Sequence, residues 1–312
     1  MSQGVLITGA SGFLGAHVCN VMAKAGWRVH AALRPSSLTN RLTVLCPDAR
    51  IELMNFEADA QVLVDRLAGL DVAAIVHCAA YGVDFLHRDV AEALKFNVGV
   101  PVRLVEAAAL ARLARFVHVG TSSEYGPAPH AIDESTPLNP VGIYGSSKAA
   151  GLVIARERAM SLGLSFVAAR TFGMYGPLEG SHKFVPQVMA AARAGKSLDL
   201  TAGEQIRDYT YVGDVARACE VMAGGTGQDG LIVNLASGRP LSLRGLAEAA
   251  VSAIGGGGGL NWGAKPYRPN EPMSVIGDAS LAATVLDWSA KTNLSDGMML
   301  TADFERFRSE HL

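Results

Sequence analysis

The sequence has little charge and few aromatic residues: charged side chains make up 18% and aromatic side chains 6% of its 312 residues. Lysine and arginine number 27 and aspartate and glutamate 29, so the formal net charge is −2. Proteins that bind nucleic acid through its phosphates need an excess of basic side chains, so we expect no nucleic-acid partner. Hydrophobic residues make up 49% of the chain, which excludes a disordered protein, because such proteins combine low hydrophobicity with high charge.

Cysteine is also scarce. The chain has four cysteines that form no CxxC pair, namely Cys19, Cys46, Cys78 and Cys219. This spacing is typical of neither a zinc site nor a disulfide-stabilised small protein, so we expect no metal site and a reducing compartment, the cytoplasm by default. The sequence begins without a basic leader segment, and no apolar run is long enough to span a bilayer, so we expect no membrane partner.

Short apolar runs alternate with amphipathic stretches through the first half of the chain. The runs cover residues 5–8, 29–33, 51–54, 73–77 and 115–119. Amphipathic stretches at 14–25 and 98–114 lie between such runs. Strands that helices cover on both faces are continuously apolar, and strand–helix alternation forms βαβ units. The pattern therefore predicts an α/β fold with a doubly wound parallel sheet.

The second half predicts a smaller α/β lobe interleaved with the first. Strands are expected at 165–169, 210–212 and 231–235, and helices at 143–162, 184–195, 214–223 and 243–254. Five consecutive glycines at 255–259 indicate a flexible surface loop. We expect residues 1–170, with about 206–235, to form a dinucleotide-binding domain, and residues 171–205 and 236–312 to form a substrate-binding lobe.

A glycine-rich loop lies between the first predicted strand and the first predicted helix. Gly9, Gly12 and Gly15 recur at a spacing of three. Glycines at such positions allow a tight turn, a close approach of the backbone to a pyrophosphate and tight packing of the helix on the strand. The helix N-terminus then offers free N–H groups to the phosphates. The loop thus predicts a Rossmann-type dinucleotide site formed by Gly9, Ser11, Gly12, Phe13, Leu14 and Gly15.

The GxxGxxG spacing resembles the extended short-chain dehydrogenase/reductase family, and the resemblance covers nearly the whole chain. At the end of the second strand, relatives that use NAD carry an acidic residue, whereas Leu33 is followed here by Arg34 and Ser36. A cation with hydroxyls suits a 2′-phosphate, so NADP(H) is favoured over NAD(H). The resemblance also implies that Ala79, in the small-residue turn after the fourth strand, lies beside the cofactor.

Tyr144 and Lys148 form a YxxxK motif at the start of a predicted helix, where residues i and i+4 share one face. A phenol is a weak acid at neutral pH, and a nearby ammonium together with an oxidised nicotinamide is expected to lower its pKa. With Thr121 at a hydroxyl-rich strand end, these residues resemble the family's catalytic triad. Tyr144 and Lys148 are then also cofactor contacts. Asn97 resembles the family asparagine that caps a helix and holds a water linked to the lysine; a plain N-cap fits the same position.

Two later segments resemble those of nucleotide-sugar enzymes in this family. Arg207 lies in an RDYTYVGD segment and Arg268 in an RPNEP loop, and in relatives both arginines reach the diphosphate. A guanidinium fork suits phosphate oxygens, so a nucleotide-diphosphate sugar is the expected substrate. Val185 occupies the place where relatives contact the base through the backbone. Gly173 stands where relatives commonly have asparagine, which removes one expected sugar contact.

The residues after Thr121 favour one reaction over others. Nucleotide-sugar 4,6-dehydratases carry an acidic residue in the next two positions. These positions hold Ser122 and Ser123 here, and we expect both serines to contact the substrate. Glu124 falls one position late for such an acid. The strand end resembles that of GDP-4-keto-6-deoxymannose reductases, which implies an NADPH-dependent ketosugar reductase. An epimerase is the alternative, followed by a reductase of a non-sugar carbonyl and a non-catalytic NADP(H) sensor. The resemblance further implies a homodimer whose interface includes the helix that carries Tyr144.

Overall fold

The strands and helices follow the alternation that the sequence predicts. The computed structural model describes residues 3–83, 87–128, 130–269 and 271–311. The strands are β1 (Gly4–Thr8), β2 (Arg28–Leu33), β3 (Arg50–Leu53), β4 (Val72–His77), β5 (Arg115–Thr121), β6 (Phe166–Thr171), β7 (Gly173–Tyr175), β8 (Leu198–Asp199), β9 (Ile206–Tyr211), β10 (Leu231–Leu235), β11 (Pro240–Ser242), β12 (Leu260–Asn261) and β13 (Ser274–Val275). The helices are α1 (Phe13–Lys24), α2 (Asn40–Leu45), α3 (Ala60–Leu70), α4 (Val90–Leu94), α5 (Val100–Leu110), α6 (Gly142–Ser161), α7 (Phe184–Arg193), α8 (Val212–Gly224), α9 (Leu243–Ile254), α10 (Ser280–Leu286) and α11 (Leu294–His311).

Seven parallel strands form the main sheet, in the order β10-β6-β5-β4-β1-β2-β3. The predicted α/β fold with a Rossmann-type doubly wound sheet is therefore confirmed. The strand order reverses between β1 and β4, and ligands of such sheets bind outside the carboxyl ends of the strands at this reversal. The glycine loop after β1 and the turn after β4 both lie there.

Side chains that alternate along β1 supply two hydrophobic layers. Val5 and Ile7 pack with α1 and α8 on one face, and Leu6 packs with α3, α5 and α6 on the other. Because both faces are covered, the strands lose the polar alternation of a half-exposed sheet, as their apolar sequence predicts. The face with α6 matters for function because this helix brings Tyr144 and Lys148 to the end of β5.

A smaller set of strands forms the second lobe. β9 pairs with β7, β11 and β13, and β8 pairs with β12. Helices α7, α9 and α11 pack together beside them. The segment 206–235 was expected in the dinucleotide domain, but it is shared by the two sheets. Strand β9 belongs to the small sheet, whereas α8 packs on the main sheet and β10 is its edge strand. None of the described helices is apolar over the length needed to cross a bilayer. All four cysteines are free thiols.

The structure corrects three local predictions. The strand expected at 210–212 covers Ile206–Tyr211, and α8 already begins at Val212. The helix expected at 98–114 is preceded by a π-helical segment, Lys95–Gly99, and ends at Leu110. The glycine run is not a loose loop. Gly255 ends α9 in the left-handed conformation, and a Cβ on Gly256 would lie 2.5 Å from the Ala192 carbonyl oxygen, so the run packs closely on α7.

Candidate active site

The glycine loop packs against the turn after β4. Gly9 has a φ of +67°, and a Cβ there would lie 2.7 Å from the Ala79 amide nitrogen. The Gly12 N–H donates to the Gly9 carbonyl at 2.9 Å, which closes the turn, and a Cβ on Gly15 would overlap the same carbonyl. A Cβ on Gly12 would lie 3.0 Å from the same oxygen, so each of the three glycines has a steric reason; Ala79 lies against the loop, and its contact with the cofactor stays a prediction.

The N-terminus of α1 is open toward this loop. Gly12 precedes the helix without a side-chain cap, and the described first turn, which starts with Phe13 and Leu14, carries no acidic side chain. Its amide groups, together with the partly exposed Ser11, are thus available to phosphate oxygens. These features fit a dinucleotide, whose pyrophosphate needs both a close backbone approach and free N–H donors.

Cationic and hydroxyl groups follow the end of β2. Leu33 is buried, while Arg34 and Ser36 are exposed just beyond it. The Arg34 guanidinium lies 5.3 Å from the centre of the Phe96 ring, and the Lys95 ammonium lies 5.0 Å from the same ring. Both cations are thus on the side of the sheet that receives the ribose next to the adenine in folds of this type.

Tyr144, Lys148 and Thr121 meet at the carboxyl end of β5. The Thr121 hydroxyl lies near enough to the Tyr144 phenol to lower its pKa, and the buried Lys148 ammonium donates to the Val119 carbonyl at 2.7 Å. Helix α6 places Tyr144 and Lys148 one turn apart on the face that covers β5. The structure therefore brings the three predicted catalytic side chains together at the end of β5.

Burial sets the protonation of this group. It raises the pKa of Tyr144 to about 12, although the nearby Thr121 hydroxyl works in the opposite direction. Burial lowers the pKa of Lys148 to about 8, against the attraction of the Glu124 carboxylate. In the protein without its cofactor, desolvation of the phenolate is thus the largest effect on the pKa of Tyr144, and the lowering expected from Lys148 together with an oxidised nicotinamide stays a prediction. Tyr144 is protonated at neutral pH, as a proton donor must be.

Asn97 connects the turn after β4 to the catalytic helix. Its Oδ1 accepts from the Tyr81 N–H at 2.8 Å, and its Nδ2 donates to the Tyr81 carbonyl and to Ser147 Oγ, each at 2.9 Å. Asn97 is buried inside the π-helical segment, so it is not the helix cap that the sequence suggested. π-helical segments often occur at functional sites, and this one fixes Ser147, the neighbour of Lys148.

A cavity of about 350 Å³ opens beside Thr121. Ser122, Ser123, Arg207 and Tyr209 are among the residues that line it. This volume is within the range of small-molecule sites. The two serines are therefore where substrate contacts were predicted. One acidic residue, Asp208, also borders the cavity. Both of its carboxylate oxygens accept hydrogen bonds, at 2.7–2.9 Å, from Ser237 and Gly238 in the turn after β10.

Arg207 and the loop of Arg268 meet at the same cavity. Arg207 donates to Glu271 Oε1 at 2.7 Å, and the Glu271 N–H donates to the Arg268 carbonyl at 3.1 Å. The structure thus brings the two predicted diphosphate contacts onto facing segments that Glu271 joins. Asn270, part of the quoted loop, lies outside the described residues. Val185 is in the first turn of α7 with its side chain in the core of the second lobe.

Gly173 faces Tyr209 across the β7–β9 pair. A Cβ on Gly173 would lie 2.7 Å from the Asp208 carbonyl oxygen and 3.0 Å from Cδ1 of Tyr209. An asparagine therefore does not fit at position 173, and the Tyr209 ring takes the space at this wall of the cavity. Burial raises the pKa of Tyr209 to about 12, so its phenol is a neutral wall group.

Comparison with known proteins identifies the family. The model of the NAD dependent epimerase/dehydratase family matches residues 5–236.

The chain belongs to this family.

Two curated relatives and one solved structure illustrate the similarity. A dTDP-glucose 4,6-dehydratase from Streptomyces niveus is 29% identical, over 97% of this chain and 92% of its own length. A UDP-glucose 4-epimerase from Mycolicibacterium smegmatis is also 29% identical, over 98% and 99%. The crystal structure of UDP-glucose 4-epimerase with UDP-glucose from Thermotoga maritima gives a TM-score of 0.88, covering 98% of this chain and 100% of that one. Its 24% identity establishes likeness of fold alone.

Membership of the epimerase/dehydratase family agrees with the predicted resemblance and makes the chain an enzyme of the extended short-chain dehydrogenase/reductase type. The match extends through β10 and so includes both the glycine loop and the Tyr144–Lys148 pair. Among the described residues, no cluster of three or more histidine, cysteine, aspartate or glutamate side chains is arranged to hold a metal ion.

Sequence reasoning missed the surroundings of Glu124 in this family member. Glu124 is fully buried and pairs with Arg170 at 2.8 Å, beneath the cavity that Ser122 and Ser123 line. A signal was present: Arg170 follows four residues of a buried apolar strand, and a buried cation needs a partner. Glu179 was missed as well. Burial raises its pKa to about 8, and among the described residues its Oε2 has no hydrogen-bond partner.

Proposed function

We propose that the protein transfers a hydride between NADP(H) and a nucleotide-diphosphate sugar, and that its reaction is the NADPH-dependent reduction of a 4-keto-6-deoxyhexose. The observation that carries this proposal is the combination of Tyr144 and Thr121 with a pocket wall of serines in place of acids. Ser122 and Ser123 line the cavity, while Glu124 is turned inward. A dehydration needs an acid–base group for carbons 5 and 6, whereas the two positions after Thr121 offer only hydroxyls and the carboxylate of Asp208 is occupied by the turn after β10.

The chain supplies the proton and the orientation for the reduction. Bound NADPH provides the hydride. Tyr144, protonated at neutral pH, gives its phenol proton to the oxygen that was the ketone. Thr121, whose hydroxyl lies near the phenol, orients the same oxygen. Lys148 lies one helical turn from Tyr144 and holds its position through the Val119 carbonyl, so its charge is fixed beside the reacting groups.

Arg34 supports NADP(H) as the cofactor. The family is described as NAD-dependent, but an NAD site of this type uses an acidic side chain at the end of β2 for the ribose hydroxyls. Here Arg34 and Ser36 follow Leu33, while the nearby Lys95 ammonium is paired with Glu57 at 2.8 Å. The guanidinium of Arg34 and the hydroxyl of Ser36 suit a 2′-phosphate better than a free 2′-hydroxyl.

Arg207 and Arg268 support a diphosphate in the substrate. Arg207 lines the cavity, and Glu271 joins it to the segment of Arg268; Val185 remains the expected contact to the base. The dehydratase and epimerase relatives are named for dTDP-glucose and UDP-glucose, so a nucleoside diphosphate is the shared part of their ligands. The identity of the base and of the sugar then depends on the cavity wall that includes Tyr209.

The test is to incubate the purified protein with NADPH and a nucleotide-linked 4-keto-6-deoxyhexose. We expect NADPH to disappear in equal amount to the reduced sugar formed. The Tyr144→Phe variant, which keeps the ring, is expected to lose at least about a hundredfold in kcat, the lower end of what a general acid contributes. NADPH that stays unchanged while the sugar is consumed would refute net reduction.

An epimerase is the second candidate, favoured by the similarity to the Mycolicibacterium smegmatis UDP-glucose 4-epimerase. It would use the same Tyr144 and Lys148 for a transient oxidation, so the cofactor would end unchanged. An inverted sugar carbon formed from a UDP- or dTDP-hexose, without added cofactor being consumed, would favour this candidate over the reductase.

A homodimer through α6 is part of the proposal. On this helix Val153 and Ile154 are exposed at 44% and 47% of their surface, a high value for apolar side chains. Arg158 on the same helix pairs with Glu106 of α5, which joins the two helices into one face. We expect twice the chain mass by light scattering for the wild type and a lower mass for Ile154→Asp. The cytoplasmic location stays a prediction.

A further inference from the structure

A buried ion pair lies directly under the catalytic threonine. Glu124 Oε1 accepts the Thr121 backbone N–H at 2.9 Å, and Glu124 Oε2 accepts from Arg170 Nε at 2.8 Å. Glu124 is completely buried and Arg170 is 4% exposed. Both carboxylate oxygens therefore have a partner, one in the catalytic segment and one in the neighbouring strand β6.

The network continues across the sheet. Arg170 NH1 donates to the Tyr125 hydroxyl at 3.0 Å, and this hydroxyl donates to Asn234 Oδ1 on β10 at 2.8 Å. The guanidinium also lies 4.6 Å from the centre of the Tyr125 ring. Because β5, β6 and β10 are neighbours, one chain of bonds connects the ends of three strands below the cavity. Such a closed network holds its members more rigidly than separate bonds do.

The strand makes room for this carboxylate. A Cβ on Gly120 would lie 2.6 Å from Glu124 Oε1, so a side chain at this position would displace the carboxylate from Thr121. A buried ion pair gives little net stability compared with apolar side chains of the same size. Stability alone therefore does not account for a charged pair at this place.

We propose that Glu124 is a positioning residue, which fixes Thr121 through its backbone N–H and, held by Arg170, supplies a negative charge to the surroundings of Lys148. This inference rests on the proposed function for the roles of Thr121 and Lys148. It does not make Glu124 a proton donor, since both of its oxygens face away from the cavity, toward Thr121 N–H and Arg170.

Glu124 is the anion among the groups that face Lys148. The titratable groups around this ammonium are Tyr144 on its own helix, His77 and Cys78 at the end of β4, and His118 and Glu124 from β5 and its following turn. Burial lowers the pKa of His77 to about 3 and that of His118 as well, and it raises the pKa of Cys78 to about 12. These three are therefore neutral near pH 7, and the Glu124 carboxylate opposes the effect of burial on Lys148.

Two variants separate the effect of the charge of Glu124 from the effect of its side-chain length. Glu124→Gln keeps the side-chain length and an acceptor for Thr121 N–H but removes the charge. Glu124→Asp keeps the charge but withdraws it by one methylene from Thr121. The measurement is the NMR titration of ¹³C-labelled lysine side chains in the full chain, with the Lys148 signal identified by its absence from Lys148→Arg. The pH dependence of kcat is measured on the same proteins.

For Glu124→Gln we expect the Lys148 titration to move to lower pH by about half a unit or more, because a nearby opposite charge favours the charged form. The kcat profile should move in the same direction, since loss of the carboxylate also lowers the pKa of Tyr144. For Glu124→Asp we expect the Lys148 titration of the wild type with kcat reduced by about tenfold or more and an unchanged KM for NADPH.

Glu52→Gln is the matched control, since Glu52 is a part-buried, ion-paired carboxylate on β3, away from the site. It should leave both the titration and kcat unchanged. An unshifted Lys148 titration in Glu124→Gln would overturn the proposed charge effect. If that variant does not fold, wild-type kcat in Glu124→Asp would overturn the positioning role. The Lys148 titration needs no substrate. Failure of the wild type to oxidise NADPH would therefore refute the proposed function without deciding whether Glu124 affects Lys148.

Discussion

The glycine loop gives a prediction with a built-in control. Gly9 and Gly163 both have a φ of +67°, the left-handed region that other residues adopt at a cost. A Cβ at Gly9 would lie 2.7 Å and 2.8 Å from the backbone nitrogen and Cα of Ala79, whereas one at Gly163 would meet nothing within 4 Å. Substitution by alanine therefore tests backbone strain at Gly163, and strain plus close approach at Gly9.

The expected magnitudes follow from these distances. The left-handed conformation costs an alanine about 1–2 kcal/mol in either variant. Gly9→Ala adds an overlap with backbone that cannot move without shifting the turn after β4, about 1–3 kcal/mol more by analogy with overpacked cores. At about 2.1 cal/mol/K of unfolding entropy per residue, each kcal/mol corresponds to roughly 1.5 °C in melting temperature for a chain of this length. Gly163→Ala should thus melt a few degrees lower than wild type, and Gly9→Ala about twice as far below it.

The assay is thermal melting with and without NADP(H). A ligand at a hundred times its Kd stabilises a protein by about 2.7 kcal/mol, so wild type and Gly163→Ala should gain equally from the cofactor. Gly9→Ala should gain little, because the displaced loop no longer presents its amides to the phosphates. Equal cofactor gains in Gly9→Ala and Gly163→Ala would refute the assignment of this loop as the dinucleotide site.

Three further changes test separate parts of the site. Arg34→Ala should weaken NADP(H) about 10–100-fold in calorimetric titration, the worth of a charged hydrogen bond, and leave NAD(H) unchanged; an equal loss for both cofactors would contradict a 2′-phosphate contact. Arg207→Met should weaken a nucleoside diphosphate by a similar factor without affecting NADP(H), and unchanged binding would exclude the arginine from the substrate site. Glu179→Gln tests the carboxyl whose pKa burial raises to about 8. A raised pKa stabilises the fold below the unfolded value near 4.5, and this contribution is lost as the pH rises through 8, so the variant should gain melting temperature over wild type from pH 5 to pH 9. A difference that is the same at every pH would contradict the buried carboxyl.

Short-range patterns explain what could be predicted from the sequence. The parallel sheet could be predicted from apolar runs of strand length. Strands that are buried on both faces, such as β1, β4 and β5, need apolar residues at nearly every position. The glycine spacing and the Tyr144–Lys148 pair are likewise set within one turn of chain. Such features need no knowledge of distant segments, and the structure places them at one end of the sheet.

Contacts between distant segments explain what could not be predicted. The sequence shows only that Glu124 falls one position late for a dehydratase acid; its buried pairing depends on Arg170, 46 positions away in sequence. Gly173 reads as a lost sugar contact until Tyr209 is found across the strand pair. The phenol of Tyr144 has a raised pKa because of the bulk of protein around it, which no local motif records.

Hydride transfer from free NADPH to the sugar tests the central claim most directly. The protein is incubated with a nucleotide-linked 4-keto-6-deoxyhexose and NADPH that carries deuterium at its transferable position. We expect one deuterium in each product molecule, on the carbon that bears the new hydroxyl, and none with Tyr144→Phe over the same time. A product without deuterium, formed while NADPH stays unspent, would contradict the reductase account.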